Sequence, residues 1–272
     1  MRTGKTVLME RIKDRLGNKK ILMLKGEDFD VSTMLSSRKQ EVLKSLAAGY
    51  DFVFIDEAQT IPDILENLRN GYLLKDVLQL DNLKDSIFVM NLLRIISFQV
   101  GHDISFNEIA NKLSTTVKTV QRYLDILEKS YIIFRLHGFS RNLRKEITKS
   151  PRFYFWDNGI RNVIISNLNP LEVRNDVGQL WKNFCISERI KRDVYQENYS
   201  NYYFWRTYDQ QEIDLLEESD GILRAFEMKW GSKKSRPPKA FVKNYPGAEY
   251  MEVNRESFYQ FLKQPSGTDP RQ

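Results

Sequence analysis

The chain of 272 residues is poor in the side chains that build most metal and redox sites. Its one cysteine, Cys185, excludes an internal disulfide framework and a cysteine-based zinc site. Its two histidines, His102 and His137, stand far apart in sequence, which argues against a histidine dyad or a histidine metal cluster. The longest apolar stretch, Ile87 to Val100, is interrupted by Asn91 and Arg94 and is too short to cross a bilayer. The N-terminus carries no apolar signal region. These absences predict a cytoplasmic protein with no membrane partner.

What is present suits a globular chain. Hydrophobic residues make up 41% and charged residues 29%, enough apolar material for real cores. The net charge is +6 and unevenly placed. Between Arg135 and Arg152 the basic residues Arg135, Arg141, Arg144, Lys145, Lys149 and Arg152 face one acid, Glu146. A second run comprises Lys229, Lys233, Lys234, Arg236, Lys239 and Lys243. Each reads either as a solvated face or as a phosphate-binding surface.

Three regimes follow one another along the chain. Apolar residues at helical spacing after Thr6, a short strand at Ile21-Leu22-Met23-Leu24, a helix over 37–48 and a strand Phe52-Val53-Phe54-Ile55 give the alternation of a parallel α/β sheet. Helical periodicity then dominates over 63–81, 85–100, 105–113 and 116–129, followed by strands at 131–136 and 153–156. From about Val177 the pattern predicts a helix through Arg192, strands near 202–206, 212–217 and 222–228, a basic loop and a closing helix. The tail from Gln264 reads as disordered.

Three groups of residues could carry chemistry. Gly4-Lys5-Thr6 opening a helix has the form of the second half of a P-loop, in which backbone N–H groups cradle phosphate. Lys5 would then reach the β- and γ-phosphates, and the Thr6 hydroxyl would ligate Mg²⁺. The strand ending in Asp56-Glu57 is what a Walker B segment requires: Asp56 to hold Mg²⁺ through water, Glu57 to orient the attacking water. The alternative for the two acids is a strand-end turn.

In the middle, 104–113, Ser-Thr-Thr and 117–128 have the form of a helix-turn-helix. Ser105 with Glu108 makes a capping box. Ile109, Ala110 and Leu113 would pack on Val117, Val120, Leu124 and Leu127, turning Lys118, Thr119, Gln121, Arg122 and Asp125 outward. A recognition helix presents such residues to DNA, and the two strands that follow would form a wing. A winged helix used only for packing is the alternative. Near the C-terminus, Asp214 on one strand and Glu227-x-Lys229 on the next place two carboxylates and a lysine together. Asp214 and Glu227 could hold Mg²⁺ while Lys229 orients water, with Glu188 as the available helix acid. Tyr202, Tyr203, Phe204 and Trp205 read as core rather than as a base-stacking platform.

Taken in order, GKT, FVFIDEAQ, Gly71-Tyr-Leu-Leu-Lys-Asp76, the helix-turn-helix, FSRNLRKEITKSPRFYFWDNGIRN and YYFWRTYDQQEIDL…FEMKW form one pattern. It resembles the prokaryotic AAA-type P-loop ATPases that carry a winged helix and a C-terminal PD-(D/E)xK nuclease-like domain of unknown function. The resemblance covers residues 1–262. It implies an α/β fold with a partial P-loop sheet over 1–62, a helical and winged-helix module over 63–160, an α/β nuclease-like domain over 161–263 and a tail over 264–272. It also implies ATP and Mg²⁺ as cofactors, ATP hydrolysis as the activity, and nucleotide, DNA and a second copy of the chain as partners.

The sequence departs from that pattern in three places. The strand and glycine that begin a P-loop would lie before residue 1, and the family's long segment between Pro62 and Gly71 is reduced to a few residues. Both departures predict weak nucleotide affinity and low turnover. Third, Lys182 stands where the family usually has a glutamate, and this charge reversal should weaken metal binding. The competing expectations are a DNA-binding module or a Mg²⁺-dependent nuclease without a working ATPase.

Overall fold

A computed structural model describes residues 12–26, 28–36, 40–56, 61, 86–140, 150–231 and 235–264. Of the predicted helix after Thr6 only 12–15 are described, and they are helical, while its start, the helical stretch 63–81 and all of the tail beyond Gln264 lie outside these residues. The chain divides into two units, Met1–Asp76 and Val77–Gln272.

In the first unit β1 (Ile21–Lys25) and β2 (Phe52–Asp56) pair in parallel, from Ile21 opposite Phe52 to Lys25 opposite Asp56. Parallel neighbours require a crossover, and here it is α1 (Phe29–Ser36) followed by α2 (Gln40–Ala47). The sequence pattern locates α2 and both strands but not α1, whose Asp28 takes the backbone N–H of Asp30 at 3.0 Å and so opens the helix. Leu24, Leu35 and Ile61 are buried together, with Leu22, Val31, Leu46 and Ile55 packed around them.

The second unit begins with α3 (Ser86–Phe98), α4 (Phe106–Lys112) and α5 (Val117–Lys129). Val89, Leu92, Leu93 and Ile96 line the buried face of α3 at helical spacing. Ser105 caps α4 by accepting the Glu108 N–H at 3.3 Å, but Glu108 does not reach back, because its carboxylate pairs with Lys112 at 2.6 Å. The capping box is therefore half made. Thr116 caps α5 in the same way, accepting the Thr119 N–H at 3.1 Å. Ile109 and Ala110 are buried with Val120, Leu124 and Leu127, so the two helices meet through the predicted apolar faces.

The strands that follow, β3 (Ile133–Gly138) and β4 (Arg152–Phe155), pair with each other as expected, and they do so antiparallel. They do not stand apart. After α6 (Asn158–Ile164) and the long α7 (Val177–Tyr195), β5 (Asn201–Arg206) joins β3 in parallel, with His137 opposite Tyr203. β6 (Glu212–Ser219) and β7 (Ile222–Met228) continue the sheet antiparallel. Past α8 (Lys239–Asn244), β8 (Glu249–Val253) pairs in parallel with β7, and α9 (Phe258–Lys263) closes the unit. The resulting order is β4-β3-β5-β6-β7-β8, one sheet that runs across the boundary expected at 160/161.

Strand β8 escapes the sequence pattern because Glu249-Tyr-Met-Glu-Val253 alternates only weakly and follows directly on the short turn Tyr245-Pro-Gly-Ala248. Phe204 and Trp205 are buried, which agrees with reading the aromatic run as core. Helix α7 is fastened to the sheet at β4 by Asn183. Its Oδ1 accepts the Phe155 N–H at 2.7 Å, while its Nδ2 donates to the Phe155 carbonyl at 2.8 Å and to Asn158 Oδ1 at 2.9 Å. Trp181 Nε1 donates to the Val253 carbonyl at 3.2 Å and fastens the same helix to β8.

Candidate functional site

In the first unit the two strands end together. The Gly26 N–H donates to the Asp56 carbonyl at 2.7 Å, and Asp56 stands half-buried at the last position of β2. The carboxyl ends of parallel strands are where ligands settle in open α/β sheets. Gly4, Lys5, Thr6 and Glu57 lie outside the described residues.

In the second unit the sheet irregularity between Tyr203 and Trp205 decides where the acids point. Tyr203 pairs with Leu216 and Trp205 with Ile213, so Asp214 and Leu215 together oppose one residue of β5. That two-against-one count is a β-bulge, a device that re-aims side chains. Ile213 and Leu216 consequently share the apolar face that packs with Trp205, Ala225 and Phe241. Asp214 and Glu217, three apart, both engage α7: Lys182 Nζ lies 2.5 Å from Asp214 Oδ1, and Arg189 Nε donates to Glu217 Oε2 at 2.7 Å.

Asp214 is nearly inaccessible to solvent, and its second oxygen, Oδ2, accepts the Met228 N–H at 2.9 Å. Glu227 and Lys229, two apart at the end of β7, form an ion pair at 2.7 Å, with the lysine half-exposed. Burial, reinforced by the charge of Asp214, pushes the Glu227 carboxyl above its usual range, against the Lys229 hydrogen bond that lowers it. Burial opposes the charge on Lys182, but the carboxylate of Asp214 overcomes it and holds the ammonium above its usual value. The neighbouring Tyr154 hydroxyl, fully buried, is pushed up to about 12 by desolvation. Burial also raises the Cys185 thiol, with Asp214 adding to the effect, so this lone cysteine is a poor nucleophile.

The structure thus brings Asp214, Glu227 and Lys229 to the adjoining ends of β6 and β7 and adds Lys182 from α7. Among the described residues no group of three or more His, Cys, Asp and Glu side chains is placed to hold a metal ion. Glu188, the expected helix acid, pairs with Lys191 at 2.8 Å.

On the helix pair, Lys118, Gln121 and Arg122 are exposed along α5. Thr119 is instead half-buried at the start of the helix, its hydroxyl 2.9 Å from that of the cap Thr116. Asp125 turns outward as expected but is held by Arg135, which also grips Glu128. Of the two basic runs, Arg141, Arg144, Lys145, Lys149, Lys233 and Lys234 lie outside the described residues. Arg135 is spent on those two acids, and Arg152 is buried, donating to Asp103 at 2.7 Å and Glu212 at 2.9 Å. Of the second run, Lys229 is paired with Glu227, while Arg236, Lys239 and Lys243 are exposed.

The sequence pattern misses the Arg189–Glu217 pair. Its signal was available, because Arg189 falls on the same helical stripe as Cys185 and Ile186, both fully buried.

A mixed α/β chain of two units, with a parallel strand pair ending in an acid and a carboxylate–lysine cluster at the end of a larger sheet, is the class that these features define. Residues 1–80 match a family described as AAA domain, residues 54–172 a domain of unknown function (DUF8612) and residues 177–264 a domain of unknown function (DUF4143). Each of these matches covers less than half of the chain. The chain is 27% identical over 173 residues to an uncharacterized protein of Mycobacterium tuberculosis, covering 61% of this chain and 38% of the relative. It is 26% identical over 246 residues to an uncharacterized protein of Methanocaldococcus jannaschii, covering 85% and 53%. The matched stretches thus span about two-fifths to half the length of these curated relatives. No solved structure gives a significant match. Among the described residues no helix is long and apolar enough to cross a membrane.

Proposed function

We propose that the chain is a nucleotide-binding protein of the AAA ATPase type, taking ATP with Mg²⁺ on its first unit. The observation that carries this reading is the parallel β1–β2 pair, which delivers Asp56 to a strand end inside the segment similar to AAA domains. Gly4 and the backbone at the helix start would cradle the phosphates, and Lys5 would neutralise the β- and γ-phosphates. Thr6 and Asp56 would hold Mg²⁺, which supplies charge stabilisation on the phosphates, and Glu57 would orient water for hydrolysis. Turnover is expected to be slow, because the family's long segment between Pro62 and Gly71 is reduced to a few residues. Thermal melting of the purified chain with and without Mg·ATP tests the reading. A rise in melting temperature that vanishes in Lys5→Ala supports it, and no rise in either protein sinks it.

The exposed row Lys118, Gln121 and Arg122 on α5 favours a second reading, DNA binding by a winged helix made of α4, α5 and the β3–β4 hairpin. The capped helices and the antiparallel strands behind them suit that use, although the pairing of Arg135 and burial of Arg152 remove two cations from it. Cleavage of DNA at Asp214, Glu227 and Lys229 is the reading the geometry supports least, because Lys182 already sits on Asp214.

A further inference from the structure

We infer that the ammonium of Lys182 stands in for a divalent cation at the β6–β7 carboxylates, so that this cluster is a closed ion-pair core that takes no Mg²⁺ or Mn²⁺. The inference is independent of nucleotide binding by the first unit.

Four observations lead there. First, both oxygens of Asp214 are already faced: Oδ1 has no hydrogen-bond partner but stands in ion-pair contact with Lys182 Nζ at 2.5 Å, and Oδ2 accepts the Met228 N–H at 2.9 Å. A hard cation would need at least one of them. Second, Oε1 of Glu227 is held by Lys229 at 2.7 Å, and although its buried Oε2 has no hydrogen-bond partner, the charge of the cluster is already balanced. Two carboxylates with two ammonium groups carry no net negative charge, which removes the attraction that draws a divalent ion out of water. Mg²⁺ dehydrates reluctantly and is not repaid by a neutral cluster.

Third, Lys182 is built in place rather than draped over the surface. Its side chain is 20% exposed and descends from α7, which Asn183, the next residue, clamps to β4. Gly101, at φ +74°, lets the stem pass: a Cβ there would lie 3.4 Å from Lys182 Cδ and 3.3 Å from Tyr154 Cε1. Fourth, two described acids that could supplement the pair, Glu188 and Glu212, are engaged elsewhere. The carboxylate of Glu188 is taken by Lys191, and Glu212 serves Arg152 at 2.9 Å.

Mn²⁺ binding by the full chain without nucleotide, read by electron paramagnetic resonance of the free ion, tests the inference. The unaltered chain and Asp214→Asn should then bind Mn²⁺ equally poorly, and Mn²⁺ should leave their melting temperatures unchanged. Lys182→Glu, checked for native circular dichroism, should bind at least about tenfold more tightly than the unaltered chain and lose the gain on adding Asp214→Asn. Stoichiometric Mn²⁺ binding by the unaltered chain that Asp214→Asn abolishes would overturn the inference, since Lys182 would then yield its place. A natively folded Lys182→Glu protein with no gain would also overturn it. Should Lys182→Glu fail to fold, the comparison of the unaltered chain with Asp214→Asn decides alone.

Discussion

Arg189 and Glu217 are both fully shielded from solvent and meet in a two-pronged ion pair, Nε to Oε2 at 2.7 Å and Nη2 to Oε1 at 3.0 Å. The same guanidinium donates through Nη1 to the carbonyls of Phe261 and, at 2.8 Å, Gln264, the last turn of α9 and its cap. One arginine therefore satisfies an acid of the sheet and the orphan carbonyls of a helix end, joining α7, β6 and α9.

Breaking that pair from one side leaves a buried charge without its partner. Glu217→Ala should cost about 3–5 kcal/mol in denaturant unfolding. Replacing both partners together, as Arg189→Met with Glu217→Leu, should cost less than the two single changes added, because no charge is then stranded. Strict additivity in the double-mutant cycle would show that the pair is not coupled.

Asn183 faces a different kind of loss. Asn183→Leu is similar in size, yet it strands the buried N–H and carbonyl of Phe155, and a stability loss of about 2–4 kcal/mol follows from two unmet backbone groups. Asn183→Asp keeps the acceptor for the Phe155 N–H and loses the donor, so it should fall between. If both variants unfold at the native denaturant midpoint, the clamp contributes nothing.

Acid should weaken the link between α6 and α7. The guanidinium of Arg174, at 2.8 Å, with help from Arg161, holds the Asp176 carboxyl far below the ordinary carboxylate range. A depressed folded-state pKa means that the stabilisation is present in full above the unfolded value near 4 and fades as the pH falls through that value toward the folded one. Asp176→Asn should therefore melt lower than the unaltered chain at pH 7, and the two melting temperatures should converge below pH 4. A gap of constant size across that range would assign the effect to packing instead.

Should the α5 row meet DNA, its members divide by role. Lys118→Ala should reduce the slope of log affinity against log salt by about one, with similar losses on all sequences. Gln121→Ala should leave the slope unchanged and narrow the difference between sequences. A slope near zero for the unaltered chain would remove the DNA-binding reading altogether.

Local patterns in the sequence locate most of these elements. The strands Ile21–Lys25 and Phe52–Asp56 are continuous apolar runs, and α5 has a strong apolar face with a threonine cap. What is not legible depends on distant partners. Regular alternation would put Asp214 and Glu217 on opposite faces of β6, and only the bulge against β5 brings both to α7. Arg152 reads as part of a basic surface run, yet it is enclosed by Asp103, Glu212 and the ring of Phe204, residues distant in the chain. Lys182 is visible as a departure from a family pattern, but its pairing with Asp214 requires α7 and β6 to be in place. Charge counted along a chain overstates the charge a surface keeps.

The position of β3 between β4 and β5 has a consequence for how this region can be divided. Residues 54–172 and 177–264 are similar to two separate domain families, yet β3 and β4 come from the first and β5 to β8 from the second. The Phe139 N–H donates to the Phe204 carbonyl at 2.7 Å across that line, as Arg152 does to Glu212. Cutting the chain near residue 175 would open two raw sheet edges and strand a buried arginine. The parts of the two segments that build this sheet, residues 86–172 and 177–264, should therefore fold together, and neither should be transplanted, expressed or exchanged in recombination without the other.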